Sequence, residues 1–263
     1  MRSIGIAAVG ALILAVGALV AYPAGAARQA KTISFCSDTT YPPMESLVGG
    51  KPTGADIDIA NAVAKQIGAS AQIKVTGFDV IIPALLKKKC DAIISSMTIT
   101  AARSKQVHFT PYITVGAFLM VKKGNPSHIS TLASLSGKSV AVESATTEAA
   151  ALAAENAALS KQGKAKITVK IFPADTSAAA AILAGKVDAY FADAPPVAYY
   201  ITTTHGKFQT AGKQIESAPE GIATRKGDPL GSQIGKAVTT LYKNGSLPKI
   251  LAKWNLSAFA LKK

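Results

Sequence analysis

One arginine and one helix start in this sequence are placed to hold a carboxylate. Arg103 follows the segment DAIISSMTIT (91–100), which predicts a β-strand with Arg103 in the loop at its carboxyl end. A guanidinium there can grip a carboxylate through two parallel hydrogen bonds. In ESATTEA (143–149), Thr147 and the N–H groups that open the following helix add further donors. A surface arginine at a helix start is the alternative interpretation of Arg103.

Three acidic residues also stand at the ends of predicted strands. Asp38 ends TISFCSD, Glu143 follows the apolar part of SVAVESA, and Asp193 ends VDAYFAD. Asp193 immediately precedes the helical segment APPVAYY, so it also suits the N-cap position of a helix. Glu143 is equally compatible with an exposed acid at a strand end, and both alternatives stay open on these residues alone.

The remaining titratable residues give little sign of catalytic or metal chemistry. The histidines His108, His128 and His205 do not have the spacing of metal ligands. No combination of serine, histidine and aspartate stands out as a nucleophilic triad. We therefore predict no metal and no cofactor, and a binding protein rather than an enzyme.

Strand-like and helical segments alternate along the chain, which predicts an α/β fold with mainly parallel sheets and flanking helices. Two units of similar length each run strand, helix, strand, helix, strand, and a basic helix end leads into an Asp-Ala strand in both, KKKCDAIIS and AGKVDAYFA. This repetition predicts two equivalent lobes. The segments are TISFCSD, ADIDIANAVAKQIG, QIKVTGF, FDVIIPALLKKK and DAIISSM, then SVAVESA, TTEAAALAAENAALSKQG, ITVKIFP, DTSAAAAILAGK, VDAYFAD and APPVAYYITTTHG.

Two β-rich segments without helical periodicity join these units. TVGAFLMVKKG (114–124) follows the first unit and EGIATRKGD (220–228) follows the second. We predict that they form a two-stranded hinge, near 112–120 and 214–224. Strand ends of the two lobes would then face each other across a cleft, where open α/β sheets bind ligands. The predicted lobes are 27–114 with 219–263, and 115–218.

The first 26 residues carry the three parts of a secretory signal peptide. A short basic start, an apolar run over 4–20 and the stretch AYPAGAA lead to a cleavage site of the A-x-A type at 24–26. A retained membrane anchor is the alternative, because the apolar run nearly reaches the length that spans a bilayer. We predict cleavage and a mature protein outside the cytoplasm, either periplasmic or secreted.

The net charge of +14 raises the question of a nucleic-acid partner. The lysines are scattered, aromatic residues do not interleave with them, and the one run, Lys87-Lys88-Lys89, suits the end of a helix. We predict a solvated basic surface and no nucleic-acid binding. Such a surface does not attract cations, so any site for a cationic ligand must be built locally.

The two cysteines are too few for a disulfide framework. Cys36 lies late in one predicted strand and Cys90 at the start of another. If these strands are parallel neighbours, the thiols lie at different heights on the sheet, whereas a bridge needs Cα atoms within about 7 Å. We predict two buried free thiols.

Several of these segments together resemble the polar-amino-acid periplasmic binding proteins of ABC transporters. The matching stretches, in the same order and spacing across the mature chain, are SDTTYPPM, GADIDIANAVAKQIG, FDVIIPALLKKKCDAIISSMTITAARSKQVHFT, ESATTEA and DAYFAD. The lysine/arginine/ornithine- and histidine-binding members are most similar, because of the DTTY turn and the ISSxTIT strand end. The resemblance implies a two-lobed type II periplasmic-binding-protein fold and a monomer that delivers an amino acid to a membrane permease.

The resemblance also implies a ligand site built from both lobes. Groups that hold the α-carboxylate or the α-ammonium are expected at Ser95, Ser96, Thr98, Arg103, Thr147 and Asp193. Rings that sandwich the ligand side chain are expected at Tyr41 and Phe78. Asp38 matches the carboxylate that meets the distal group of basic ligands, and Glu143 lies at the mouth of the facing lobe. Similar proteins usually have glycine at the position of Ala145.

Asp38 and Glu143 would repel each other in this site unless a cation lay between them. A basic ligand such as arginine, ornithine or lysine is therefore expected. Glutamine, histidine or an opine is the alternative, because Asp38 can also accept a hydrogen bond from an amide. An enzyme is a further alternative, since some similar proteins are cyclohexadienyl dehydratases, which need a general acid such as Glu143 or Glu148. A sensory domain would have to act through a separate receptor.

Overall fold

The structure, a computed structural model, describes residues 31–261. The predicted signal peptide, residues 1–26, lies outside the described residues. Among the helices of residues 31–261, none combines the length and the apolar character needed to cross a bilayer. The fold of this part of the chain is α/β, as the sequence predicts.

Eleven strands are present in the described residues. They are β1 (Lys31–Ser37), β2 (Thr40–Tyr41), β3 (Glu45–Val48), β4 (Lys51–Thr53), β5 (Ala69–Val75), β6 (Ala92–Ile93), β7 (Val107–Lys122), β8 (Ser139–Glu143), β9 (Thr168–Phe172), β10 (Ala189–Asp193) and β11 (Phe208–Arg225). Eight of them form one mixed sheet, in the order β5-β1-β6-β11-β7-β10-β8-β9. β1 pairs in parallel with β5 and β6, and β8 pairs in parallel with β9 and β10.

Helices from the same part of the chain cover the sheet. They are α1 (Ala55–Gln66), α2 (Ile81–Leu86), α3 (Ala101–Ser104), α4 (Thr147–Lys161), α5 (Asp175–Leu183), α6 (Ala194–Thr203), α7 (Pro229–Lys243) and α8 (Ser246–Lys253). α7 shows why such segments are helical. Its residues Ile234, Ala237, Val238 and Leu241 recur at helical spacing and are buried, so one face packs on the core. The side chain of Asp228 caps the first turn.

Two long antiparallel strands, β7 and β11, run through both halves of the molecule. β6 joins the carboxyl end of β11, and β10 joins the carboxyl end of β7, which is the opposite end of this ladder. Register shifts between Ala211 and Gly221 interrupt the ladder in its middle. We call the group with β5, β1 and β6 the first lobe, and the group with β10, β8 and β9 the second lobe. The structure therefore has the two-lobed α/β architecture that the sequence predicts.

Three parts of the β structure are missing from the sequence prediction. Residues 107–111, at the start of β7, precede both the predicted segment 114–124 and the predicted hinge. The predicted segment 220–228 covers only the end of β11, because most residues in the first part of that strand are exposed and show no apolar alternation. The small sheet β2-β3-β4 has strands of two to four residues. Such strands are too short for a period of two to be recognised.

The buried apolar residues form clusters on both faces of the sheet. The largest lies against α1, α5, α6, α7 and α8, and a second lies against α4 in the second lobe. Neighbouring strand residues point to opposite faces, so Tyr190 belongs to the first cluster and Phe191 to the second. This packing holds the strand ends of each lobe in place.

Cys36 and Cys90 form a disulfide, so the prediction of two free thiols is wrong. Their Cα atoms are 5.7 Å apart. β1 and β6 are parallel neighbours, as expected, but Cys90 precedes β6 and lies in a turn. Because a turn residue is not bound to the strand register, Cys90 can lie next to Cys36. Both cysteines pack with apolar residues of α2 in a third small core.

Candidate functional site

A cavity lies where the strand ends of the two lobes meet. Its lining contains all ten residues proposed from the sequence: Asp38, Tyr41, Phe78, Ser95, Ser96, Thr98, Arg103, Glu143, Thr147 and Asp193. Glu45, Thr146 and Glu148 also line it, although they were not among the predicted ligand contacts.

Arg103 lies on α3, and its guanidinium reaches both lobes. Nη1 donates to the carbonyl oxygen of Thr98 at 2.8 Å, and Nη2 donates to that of Ala145 at 3.0 Å. The guanidinium carbon lies 5.3 Å from the centre of the Phe78 ring, within cation–π distance. Burial lowers the pKa of Arg103, and the nearby charge of Glu148 opposes that decrease. The guanidinium remains charged at neutral pH. Its other N–H groups are available to a carboxylate.

The start of α4 brings further donors to the cavity. Thr146 is the N-cap residue, and its hydroxyl accepts from the N–H three residues on at 3.1 Å while donating to the Glu143 carbonyl at 2.9 Å. Ala145 has φ 60°, in the left-handed region that glycine adopts most easily. Alanine therefore adopts here the left-handed turn conformation expected of glycine, and its Cβ makes that conformation sterically unfavourable.

Asp193 ends β10 and meets Tyr41 across the cleft. The Tyr41 hydroxyl donates to Oδ2 of Asp193 at 2.9 Å and accepts from the Asp193 N–H at 3.1 Å. Asp193 occupies the N-cap position of α6, but its side chain makes no capping hydrogen bond. Burial, followed by the nearby charges of Glu148 and Glu220, raises the pKa of Asp193 well above its ordinary value. A cation beside Asp193 would favour the ionised carboxylate.

The two serines after β6 are tied to buried acids. Oγ of Ser95 accepts from the N–H of Asp38 at 2.9 Å and donates to Oε1 of Glu45 at 2.8 Å. The N–H of Ser96 donates to Oδ2 of Asp56 at 2.8 Å. That N–H is therefore already used, which leaves the carbonyl and hydroxyl of Ser96 for a ligand. The Ser96 hydroxyl is buried without a hydrogen-bond partner.

Asp38 holds two segments that carry the predicted aromatic residues. Its Oδ1 accepts from the N–H of Thr40 at 3.1 Å, and its Oδ2 accepts from the N–H of Phe78 at 2.8 Å. Burial raises the pKa of Asp38, and these hydrogen bonds oppose that rise. Each carboxylate oxygen has a second lone pair, so Asp38 can still accept from a ligand. Asp38 therefore combines a structural role with a possible ligand contact.

Glu143 is buried at the end of β8, so the alternative of an exposed strand-end acid is wrong. Its side chain is 4% exposed, and Oε1 is buried without a hydrogen-bond partner. Burial, followed by the charges of Asp175 and Asp38, raises the pKa of Glu143 to about 9. Asp175 was not predicted as part of this region. Tyr190 donates a hydrogen bond to it, and burial raises its pKa to about 8.

Carboxyl groups dominate the buried polar residues around the cleft. The buried acids are Asp38, Glu45, Asp56, Glu143, Glu148, Asp175, Asp193 and Glu220. Within residues 31–261, no lysine, arginine or histidine is as buried as these acids, and Arg103 is the base that lines the cavity. The same residues contain no group of acids, histidines or cysteines arranged to hold a metal ion. Acids therefore outnumber bases five to one in the lining of the cavity.

Comparison with known proteins identifies the family. The profile of the "Bacterial extracellular solute-binding proteins, family 3" matches residues 33–257. This chain belongs to that family. The resemblance to polar-amino-acid binding proteins of ABC transporters is thereby confirmed. Relatives of this solute-binding protein include proteins named as periplasmic.

Relatives of this solute-binding protein are named for amino acids. The L-arginine-binding protein of Pseudomonas aeruginosa is 31% identical over 259 residues, which cover 95% of each chain. The L-cystine-binding protein TcyJ of Escherichia coli is 29% identical over 231 residues, covering 86% of this chain and 84% of TcyJ. The solved structure of an ancestral arginine-binding protein bound to arginine has a TM-score of 0.79 at 36% identity, covering 85% of this chain and 97% of that one. These relatives support substrate binding as the shared activity.

Without ligand, the protein should lose stability as the pH rises from about 5 to about 9. The pKa of the Glu143 carboxyl is ordinarily 4.5 and is about 9 in the folded protein. Between these values the folded state keeps a proton that the unfolded chain has released. Its contribution to stability is full below the ordinary pKa and is lost as the pH rises through the folded one. Glu143→Gln removes this titration, so urea unfolding should show a smaller loss in the variant.

The matched control is Glu155→Gln, which removes an acid of α4 that does not line the cavity. It leaves Glu143 and Asp175 in place, so its loss of stability with pH should follow that of the parent. Asp175 remains in Glu143→Gln, and its raised pKa should preserve part of the dependence. In the double variant with Asp175→Asn, the free energy of unfolding should therefore change even less with pH. Equal losses of unfolding free energy in the parent and in Glu143→Gln would contradict this account.

Proposed function

We propose that this solute-binding protein is the extracytoplasmic subunit of an ABC importer for a basic amino acid, with arginine, ornithine or lysine as its ligand. The observation that carries the proposal is the charge of the cavity, where five acids and one arginine line the walls. The α-groups of any amino acid pair with one base and one acid. A basic side chain adds the further positive charge that the remaining acids require.

The α-carboxylate of the ligand is proposed to bind Arg103 and the N–H groups at the start of α4. Arg103 already uses two N–H groups on protein carbonyls, which hold its plane in place for the carboxylate. The α-ammonium is proposed to bind Asp193, with Thr98 and the Ser96 carbonyl beside it. Tyr41 holds the Asp193 carboxylate in position from the opposite lobe.

The side chain of the ligand is proposed to lie between Tyr41 and Phe78 and to end between Asp38 and Glu143. The free Oε1 of Glu143 and the remaining lone pairs of Asp38 can accept several N–H groups. A guanidinium presents five such groups and an ammonium three. In this arrangement two buried acids would flank a single cation.

The charge balance disfavours the other amino acids considered. Glutamine brings no charge, so Glu143 would stay protonated and Asp38 would face no cation. Cystine carries a second ammonium that suits these acids, but its second carboxylate would need a second base. Arg103 is the base that lines the cavity in residues 31–261, so that carboxylate would face acids. The side chains of histidine and of opines are neutral or acidic near neutral pH. They would therefore bring no positive charge to Asp38 and Glu143.

Binding without catalysis is proposed for the same reason. A dehydratase acting on prephenate would have to hold two carboxylates, and the described cavity offers one guanidinium. Glu143 retains its proton at neutral pH and so has the protonation state of a general acid, but it lies among other acids rather than beside an anion site. The charge pattern therefore favours a cation at this position over a departing hydroxyl.

Delivery to a permease is proposed to depend on the two strands that join the lobes. We propose lobes of 27–114 with 219–263 and of 115–218, which close on the ligand by bending in β7 and β11 near the register shifts. Removal of residues 1–26 during export would leave a monomer that presents the closed form to the membrane permease. The Tyr41–Asp193 and Arg103–Ala145 contacts join the lobes in that form.

A thermal-shift screen tests the ligand assignment. The panel is the twenty amino acids with ornithine, cystine, opines and prephenate, each in large excess. A ligand at a thousandfold excess over Kd stabilises by about 4 kcal/mol. Arginine, ornithine or lysine should give the largest increase in Tm. A larger increase with glutamine or cystine would overturn the basic-ligand assignment, and turnover of prephenate would overturn binding without catalysis.

Variants of the α-group contacts test the site itself. Arg103→Ala should weaken binding of the best ligand by about 2–5 kcal/mol, or roughly 30-fold to several thousandfold, because a buried carboxylate loses its counter-charge. Asp193→Asn should cost a similar amount through the ammonium while keeping an oxygen for the Tyr41 hydroxyl. Lys105→Ala removes an exposed charge two residues from Arg103 and should bind like the parent. Calorimetric affinity within threefold of the parent would remove either residue from the site.

A further inference from the structure

Glu143 and Asp175 lie together at two neighbouring strand ends of the second lobe. Glu143 ends β8 and is paired with Phe172 at the end of β9, and Asp175 opens α5 three residues later. Both side chains are buried, at 4% and 0% exposure. Oε1 of Glu143 and Oδ2 of Asp175 have no hydrogen-bond partner. Two adjacent buried carboxyl groups with free oxygens resist being ionised together.

The groups around this pair supply no positive charge within the described residues. The facing groups are acids and phenols: Asp38 from the first lobe, Glu148 from α4, Tyr190 from β10 and Tyr200 from α6. On β9, Lys170 is exposed, and its Nζ donates to the carbonyl of Lys186. Arg103 donates elsewhere, to two backbone carbonyls. Before a ligand binds, protons are therefore the means by which this pair is neutralised.

We propose that the Glu143–Asp175 pair holds a proton that the cationic end of the ligand displaces, so that binding of a basic amino acid releases a proton. This inference rests on the proposed function. In the step, a carboxyl O–H bond breaks and the proton passes to water or to a buffer base. The carboxylate that remains accepts hydrogen bonds from the guanidinium or ammonium of the ligand. One positive charge leaves the cavity and one arrives, so the charge balances.

This exchange makes Glu143 a specificity-determining residue. The amide of glutamine brings no charge, so it cannot keep Glu143 ionised and displaces no proton. The raised pKa of Glu143 and of Asp175 agrees with a pair that is protonated at neutral pH, burial being the larger cause for both. Affinity for arginine should therefore increase between about pH 6 and pH 8, whereas affinity for a neutral amino acid should change little.

Calorimetry in several buffers measures the released proton directly. Arginine is titrated into the mature protein at pH 7 in phosphate, imidazole and Tris, whose ionisation enthalpies differ. The slope of the observed enthalpy against the ionisation enthalpy of the buffer gives the number of protons exchanged. We expect release of roughly one proton per arginine in the parent. In Glu143→Gln and in Asp175→Asn the slope should fall by half or more, and arginine should bind more weakly.

The control variant is Glu155→Gln, which removes an acid of α4 outside the cavity lining and should keep the slope and the affinity of the parent. Arginine binding with no proton release in the parent would overturn the inference and leave the proposed function standing. A slope unchanged in both Glu143→Gln and Asp175→Asn would also overturn it, because the proton would then come from another group. If neither arginine, lysine nor ornithine bound, the proposed function would fail and this inference with it. If the variants do not fold, the parent still tests the inference. An arginine affinity that stays constant from pH 6 to pH 8 would by itself contradict proton release.

Discussion

The burial of carboxyl groups with too few bases is the constraint on which this site depends. Eight acids are buried in the described chain, and Arg103 is the one base beside the five of them that line the cavity. Ionised carboxylates are costly to bury unless they are paired, so such a group must hold protons, accept strong hydrogen bonds or meet a cation. The protein itself supplies protons and hydrogen bonds to these acids, and the proposed basic ligand would supply the cation. The clustering of acids at the cleft also leaves the surface enriched in lysine, consistent with the net charge of +14.

The architecture explains how acids distant in sequence come together. Parallel strands place their carboxyl ends at one edge of each lobe, and β7 and β11 set these two edges opposite each other. Glu220 lies at a register shift within β11 and forms an antiparallel β-bridge with Thr98. Its charge contributes to the raised pKa of Asp193. The joining strands therefore take part in the electrostatics of the cleft. A change in the angle between the lobes would alter the separation of the charged groups across the cleft.

Much of the site follows from the sequence because functional groups stand directly after strands that are easy to recognise. Asp38 follows β1 and Asp193 ends β10, whereas Arg103 lies on α3 rather than in the predicted loop after a strand. All three line the cavity. Contacts between lobes could not be predicted, because the hydroxyl of Tyr41 reaches Asp193 only once β7 and β11 have set the lobes together. Asp175 resembles an ordinary acid in the first turn of a helix, and its burial depends on Tyr190 and on the facing lobe. The sequence could have indicated Glu148 as a cavity residue, because it adjoins Thr147 at the start of α4. Cys90 lies in a turn, and the strand pattern does not predict the path of that turn.

The comparison of arginine with citrulline tests the central claim most directly. Citrulline has nearly the shape of arginine, but a neutral urea group replaces the guanidinium, so the two ligands differ mainly in charge. If unpaired buried acids select the ligand, calorimetry at pH 7 should show arginine binding more tightly by about 2–5 kcal/mol, or roughly 30-fold or more. The Arg103 and Asp193 contacts are common to both ligands and cannot produce this difference. Equal affinities, or tighter binding of citrulline, would contradict the claim that the cavity requires a positive charge.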